Sequence, residues 1–170
     1  ISLFLAYGYT GGPFPLAYLG LGELFVILFF GLVATCGSFY IYTGSLDVYI
    51  LLVGLQLGLL SSVLISINNF RDRFTDKRVG KNTLATKMSE KHFLLLIDVF
   101  LFLPYLILLT QVIFIDLKAF FALFAIPLAH KIRNGLRNIV QLEECNDYLA
   151  LSAKHLLIFS LLMVGYHLWS

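Results

Sequence analysis

Charge is what this sequence has least of. Asp, Glu, Lys and Arg make up 13% of its 170 residues, about half the quarter usual in a soluble domain. With 59% hydrophobic residues and a mean hydropathy of +0.89, this scarcity excludes a soluble globular domain, a disordered chain and a nucleic-acid binder. Cysteine is limited to Cys36 and Cys145. Two distant cysteines exclude a disulfide framework or zinc-type spacing and read as unpaired structural residues. Residues 1–7 are apolar but lack a basic stretch before and a small-residue cleavage site after. They read as the end of a truncated helix and not as a signal peptide.

What is present is a set of long uncharged runs. No charged residue falls in 1–22, 24–46, 48–70, 99–115 or 155–170. A spanning helix needs roughly 20 mostly apolar residues. The runs therefore predict an all-α, polytopic membrane helix bundle. It has about five transmembrane helices, near 24–44, 47–70, 93–114, 117–133 and 149–169, plus the end of a sixth at 1–7. The span at 117–133 is the weakest. Pro104 and Pro127 lie within spans, where proline is tolerated. Gly54 and Gly58 form a small-xxx-small pair for close helix packing, and Gln56 and Gln111 read as interhelical hydrogen-bond partners.

The charges that remain are clustered. Residues 71–91 hold ten of them, seven basic. Alternating the spans places 8–23, 71–91 and 131–148 on one side. Ten Lys and Arg residues then face one, Lys118, on the other side. Such an excess marks the cytoplasmic face. The expectation is a multi-pass protein of the inner (cytoplasmic) membrane with its polar loops in the cytoplasm. Asp98 and the group Lys131, Arg133 and Arg137 read as interfacial anchors, and Lys154 and His155 as snorkelling residues that open the last span.

The informative segment follows the span at 47–70. Asp72 and Asp76 are four apart, with Asn68 in the same i, i+4 row and Asn69 three before Asp72. Two carboxylates and an amide oxygen on one helix face suit a hard cation such as Mg2+, which binds through one or two carboxylates plus substrate phosphates. Arg71, Arg73, Lys77, Arg78 and Lys81 surround them with groups that clamp phosphate oxygens. A metal–diphosphate site at a membrane mouth calls for a substrate with a polar head and an apolar tail. Two alternatives stand beside this one. The run is also what a solvated, positive-inside loop looks like, and Asp-Lys-Arg-Val-Gly-Lys imperfectly matches a loop of major-facilitator transporters.

The pattern Asn69-x-Arg71-Asp72-x3-Asp76-x3-Gly80-Lys81-x-Thr83-Leu84-Ala85 resembles the second aspartate-rich motif of the UbiA superfamily of intramembrane prenyltransferases. Within it, the nearest resemblance is to the 1,4-dihydroxy-2-naphthoate polyprenyltransferases. The stretch Tyr9-Thr10-Gly11-Gly12-Pro13 through Gly20-Leu21-Gly22-Glu23, with Phe29-Phe30-Gly31, is similar to a loop of that subfamily. The resemblance implies a nine-helix fold of which this chain is the C-terminal portion, lacking the first aspartate-rich motif. It implies a prenyltransferase moving a polyprenyl group from polyprenyl diphosphate to 1,4-dihydroxy-2-naphthoate, with loss of carbon dioxide. Asp72 and Asp76 would be the catalytic metal ligands, assisted by Asn69 and Asn68, and Arg71, Lys81, Lys77 and Tyr9 would contact the diphosphate. The loop after Tyr9 lacks the basic residue that many relatives carry there. A different aromatic acceptor, or half of a transporter, are the other readings.

Overall fold

The computed structural model describes residues 20–165. Among the described residues it is a helical bundle with no β-strand. Four helices are long and apolar enough to cross a membrane: α1 (Gly22–Thr43), α2 (Val48–Arg78), the helix Glu90–Phe114, and Leu142–Gly165, whose first turn is 3-10. The short helix Leu84–Lys87 is α3, Glu90–Phe114 is α4, Ile126–Arg137 is α5 and Cys145–Gly165 is α6. The expected end of a helix at 1–7 lies outside the described residues.

Short-range chemistry sets the helix ends. Gly44 takes φ +69° and donates its N–H to the Tyr40 carbonyl, ending α1 with a left-handed residue that glycine tolerates. Asp47 then caps α2 by accepting from the Ile50 N–H at 2.8 Å. At the far end Gly80 (φ +73°) reverses the chain. Thr83 and Ser89 cap α3 and α4 through the N–H groups of Thr86 and His92.

α2 is the central element and packs against α1, α4 and α6. Its crossing with α1 depends on glycine. A Cβ on Gly31 would lie 2.5 Å from the Gly54 carbonyl oxygen, and one on Gly58 would lie 2.7 Å from the Ile27 carbonyl oxygen. The Gly54/Gly58 pair thus lets two backbones touch, and α1 takes π-helical form over Ile27–Val33 along this contact. The core joins Leu60, Val63, Ile67 and Phe70 of α2 to Phe93, Ile97, Leu101 and Leu108 of α4, with Phe159 of α6.

The span expected at 117–133 is not a single α-helix. Residues Leu117–Ala125 form a 3-10 helix that runs into the twelve-residue α5. The cause is visible in the sequence spacing. Ala119, Ala122 and Ala125 are fully buried at intervals of three, the 3-10 repeat, while Phe120, Phe121 and Phe124 point outward. The combined segment still returns antiparallel to α4, because His130 stacks near Phe102 and Arg133 and Arg137 reach Asp98. At about 2.0 Å per 3-10 residue and 1.5 Å per α residue it covers roughly 36 Å, enough for a hydrocarbon core.

The last helix also starts earlier than expected. α6 begins at Cys145, so His155 lies well inside the bundle. It is 1% exposed and shares a 2.6 Å hydrogen bond with the Tyr105 hydroxyl of α4. His155 therefore does not snorkel. Gln56 donates to the Pro104 carbonyl at 3.0 Å, an α2–α4 link. Gln111 is buried with no side-chain partner among the described residues. Asp98 pairs with both Arg133 (3.4 Å) and Arg137, so the anchoring residues hold each other.

Candidate functional site

α2 is longer than a bilayer requires. Its 31 residues extend about 46 Å, and the excess carries the polar segment beyond the apolar stretch that ends at Phe70. The same end of the bundle receives the start of α4, the end of α5 and the start of α6, as contacts to each show. Arg73 pairs with Glu90 at 2.8 Å, Arg137 with Asp98, and Arg71 with Asn146. Two of the polar regions expected to share one side, 71–91 and 131–148, meet there through Arg71 and Asn146, while most of the third, 8–23, lies outside the described residues.

The centre of the site is Arg71. Its Nε donates to Asp72 Oδ1 at 2.8 Å and its Nη2 to Asp72 Oδ2 at 2.9 Å, a two-pronged guanidinium–carboxylate pair. Nη2 also donates to Asn68 Oδ1 at 2.7 Å, and Nη1 to Asn146 Oδ1 at 2.6 Å. The hydrogen-bonded guanidinium holds the Asp72 carboxyl below the ordinary carboxylate range, against partial burial that raises it.

Asp76 lies one turn further on and is 8% exposed. Its Oδ2 accepts from Lys81 Nζ at 3.0 Å, and its backbone carbonyl accepts the Lys81 N–H at 2.9 Å. The turn at Gly80 folds Lys81 back onto α2, so each acid has its own cation. Lys77 is exposed and pairs with no acid among the described residues. Tyr9 lies outside the described residues.

Asn69 takes a different partner from Asn68. It is 5% exposed and donates through Nδ2 to Glu23 Oε1 of α1 at 2.9 Å. The predicted face is therefore assembled in two halves, with Asn68, Arg71 and Asp72 tied to α6 and Asn69 tied to α1. Asn146 and Glu23 were not among the sequence-predicted site residues. They lie 75 and 46 residues from their partners, and no spacing rule connects them. The only available sign was that Glu23 is a single acid between two uncharged runs.

The donor set fits a magnesium ion bound in part by substrate. Asp72 and Asp76 offer hard oxygens at i and i+4, with amide oxygens in the same rows. Among the described residues no three His, Cys, Asp or Glu side chains gather into a metal-binding group.

Comparison with known proteins gives the family. The model of the UbiA prenyltransferase family matches residues 1–158. Over 89 residues the chain is 42% identical to a 1,4-dihydroxy-2-naphthoate octaprenyltransferase of Haemophilus influenzae, covering 52% of this chain and 29% of that protein. The corresponding Escherichia coli protein is 38% identical over 90 residues, covering 53% of this chain and 29% of that protein. A human UbiA prenyltransferase domain-containing protein 1 is 30% identical over 130 residues, covering 76% of this chain and 38% of that protein. The matched stretch spans under a third of the bacterial relatives and under two fifths of the human one. A match over residues 1–158, with the motif residues assembled at one end of a helical bundle, is enough to state that the chain belongs to the UbiA prenyltransferase family.

Proposed function

We propose that the protein carrying this chain transfers a polyprenyl group from polyprenyl diphosphate to 1,4-dihydroxy-2-naphthoate, with release of carbon dioxide, in menaquinone biosynthesis. The observation that carries the reading is the pair Asp72–Arg71 and Asp76–Lys81 on one face of α2, at the membrane end where an amphiphilic diphosphate enters. The names of the bacterial relatives supply the acceptor.

In this reading Asp72 and Asp76, with oxygens of Asn69 and Asn68, hold one pole of Mg2+. When bound, the metal neutralises charge that develops on the departing diphosphate. Arg71 and Lys81 hold phosphate oxygens beside that pole, and Lys77 and Tyr9 are the further diphosphate contacts. The allylic C–O bond breaks with its electron pair going to diphosphate. The electron-rich ring carbon forms the new C–C bond. Its carboxylate then leaves as carbon dioxide, returning the C–C electron pair to the ring and giving the prenylated naphthoquinol, demethylmenaquinol. The apolar helices accommodate the prenyl tail and keep water from the allylic cation. The protein would reside in the cytoplasmic membrane with this polar end in the cytoplasm, as the basic bias directs. Family membership replaces the transporter reading of the same loop.

The test uses membranes holding the full protein, labelled polyprenyl diphosphate and dihydroxynaphthoate, with and without magnesium. Prenylated product that requires magnesium, and falls at least about tenfold in Asp72→Asn at equal protein abundance, is the expected result. Diphosphate release only with another aromatic acceptor would overturn the acceptor assignment. No release with any acceptor would overturn the enzyme reading.

A further inference from the structure

Glu23 is an acid where packing alone gives no reason for one. It is 2% exposed, and its Oε2 has no hydrogen-bond partner among the described residues. Taking a carboxylate out of water costs several kcal/mol unless its partners compensate. Helix packing alone would be served as well by an apolar side chain. Among the described residues, the one side-chain bond that Glu23 makes is to Asn69 Nδ2 at 2.9 Å. Its backbone carbonyl, accepting from Ser62 Oγ at 3.0 Å, fixes this turn of α1 on α2.

That bond decides which way Asn69 presents its amide. A carboxylate only accepts, so the NH2 end must face Glu23 and the carbonyl oxygen is turned away from it. Asn69, Asp72 and Asp76 occupy one stripe of α2, at i, i+3 and i+7. Of the two ends of the Asn69 amide, only the oxygen is a hard donor for a cation. Were the amide reversed, its NH2 would oppose the ion.

We propose that Glu23 is a positioning residue that locks the Asn69 amide so that its Oδ1 faces the divalent cation held with Asp72 and Asp76. This rests on the proposed function and adds the outer residue that orients one ligand. Outer partners of metal ligands typically carry about 10–100-fold in metal affinity.

Two conservative substitutions separate geometry from charge. Glu23→Gln keeps the length and an oxygen acceptor but loses the charge. Glu23→Asp keeps the charge but withdraws the acceptor by one methylene. Mn2+ binding to the full protein, followed by electron paramagnetic resonance in the presence of inorganic diphosphate, reads the metal pole without turnover. The expected result is near wild-type affinity in Glu23→Gln and at least about tenfold weaker binding in Glu23→Asp, with both variants folded by thermal unfolding in the absence of metal. Equal wild-type affinity in both, or a loss in Glu23→Gln as large as in Glu23→Asp, would overturn the proposal. Wild type that binds Mn2+ yet makes no prenylated product would sink the proposed reaction and leave the Glu23 result intact.

Discussion

Arg71 near the polar end of α2 and Asn146 on the first turn of α6 meet at 2.6 Å, Nη1 donating to Oδ1. The contact joins the aspartate-rich segment to the last spanning helix. It fixes the one arm of the guanidinium that Asp72 and Asn68 do not hold. A hydrogen bond from a charged donor contributes about 1.5–3 kcal/mol, and the lower figure corresponds to roughly tenfold in affinity.

Asn146→Ala is therefore expected to raise the KM for polyprenyl diphosphate about tenfold, by loosening the arginine that the proposed function assigns to phosphate. Asn146→Asp retains an acceptor at the same reach and should recover most of the loss. Asn138→Ala is the control, since Asn138 is exposed and, among the described residues, its side chain bonds only within its own turn. Steady-state kinetics against varied diphosphate checks this. An unchanged KM in Asn146→Ala would show that Arg71 needs no support from α6.

The crossing of α1 and α2 makes a second prediction. Gly58→Ala would set a methyl group 2.7 Å from the Ile27 carbonyl oxygen, and the near atoms are backbone, which cannot move aside alone. Overpacking of this kind costs about 1–3 kcal/mol. Gly37→Ala on the same α1 meets nothing within 4 Å and should be neutral or slightly stabilising, because alanine favours a helix by about 1 kcal/mol over glycine. Thermal unfolding in detergent compares them. Equal melting temperatures would remove the backbone contact from consideration.

Tyr105 and His155 form the third test. Tyr105→Phe strands a fully buried imidazole nitrogen, which costs about 1–3 kcal/mol. Tyr105→Phe combined with His155→Leu removes both polar partners, so the double variant should lose less than the sum of the two single losses. A coupling of 0.5 kcal/mol or more in a double-mutant cycle of unfolding free energies is the expected result, within the usual range for residues in contact. Strict additivity would mean that the pair contributes no stability as a bond.

Much of the fold follows from local rules that a sequence displays. Four of the expected spans became long helices because apolar runs of that length have few other ways to satisfy their backbone in a membrane. Their ends fall at Gly44, Asp47 and Ser89 because those residues terminate or cap helices wherever they occur. The Gly54/Gly58 pair carried its packing meaning in the same way, and the shared face of Asp72 and Asp76 depends only on helical repeat. The 3-10 segment was missed because an apolar run shows length but not helix type. The alanine repeat at 119, 122 and 125 was the available signal.

What tertiary structure alone decided is who holds whom. Arg71 reaches Asn146, Asn69 turns to Glu23, His155 is drawn inside against Tyr105, and Asp98 gathers Arg133 and Arg137. Each pair joins residues 35 to 75 positions apart. Burial forces such polar groups to find partners, but which ones they find depends on how the helices cross. The composition and runs of this sequence determine a membrane bundle with an acidic and basic rim. Helix packing gives the side chains of that rim their partners and their orientations.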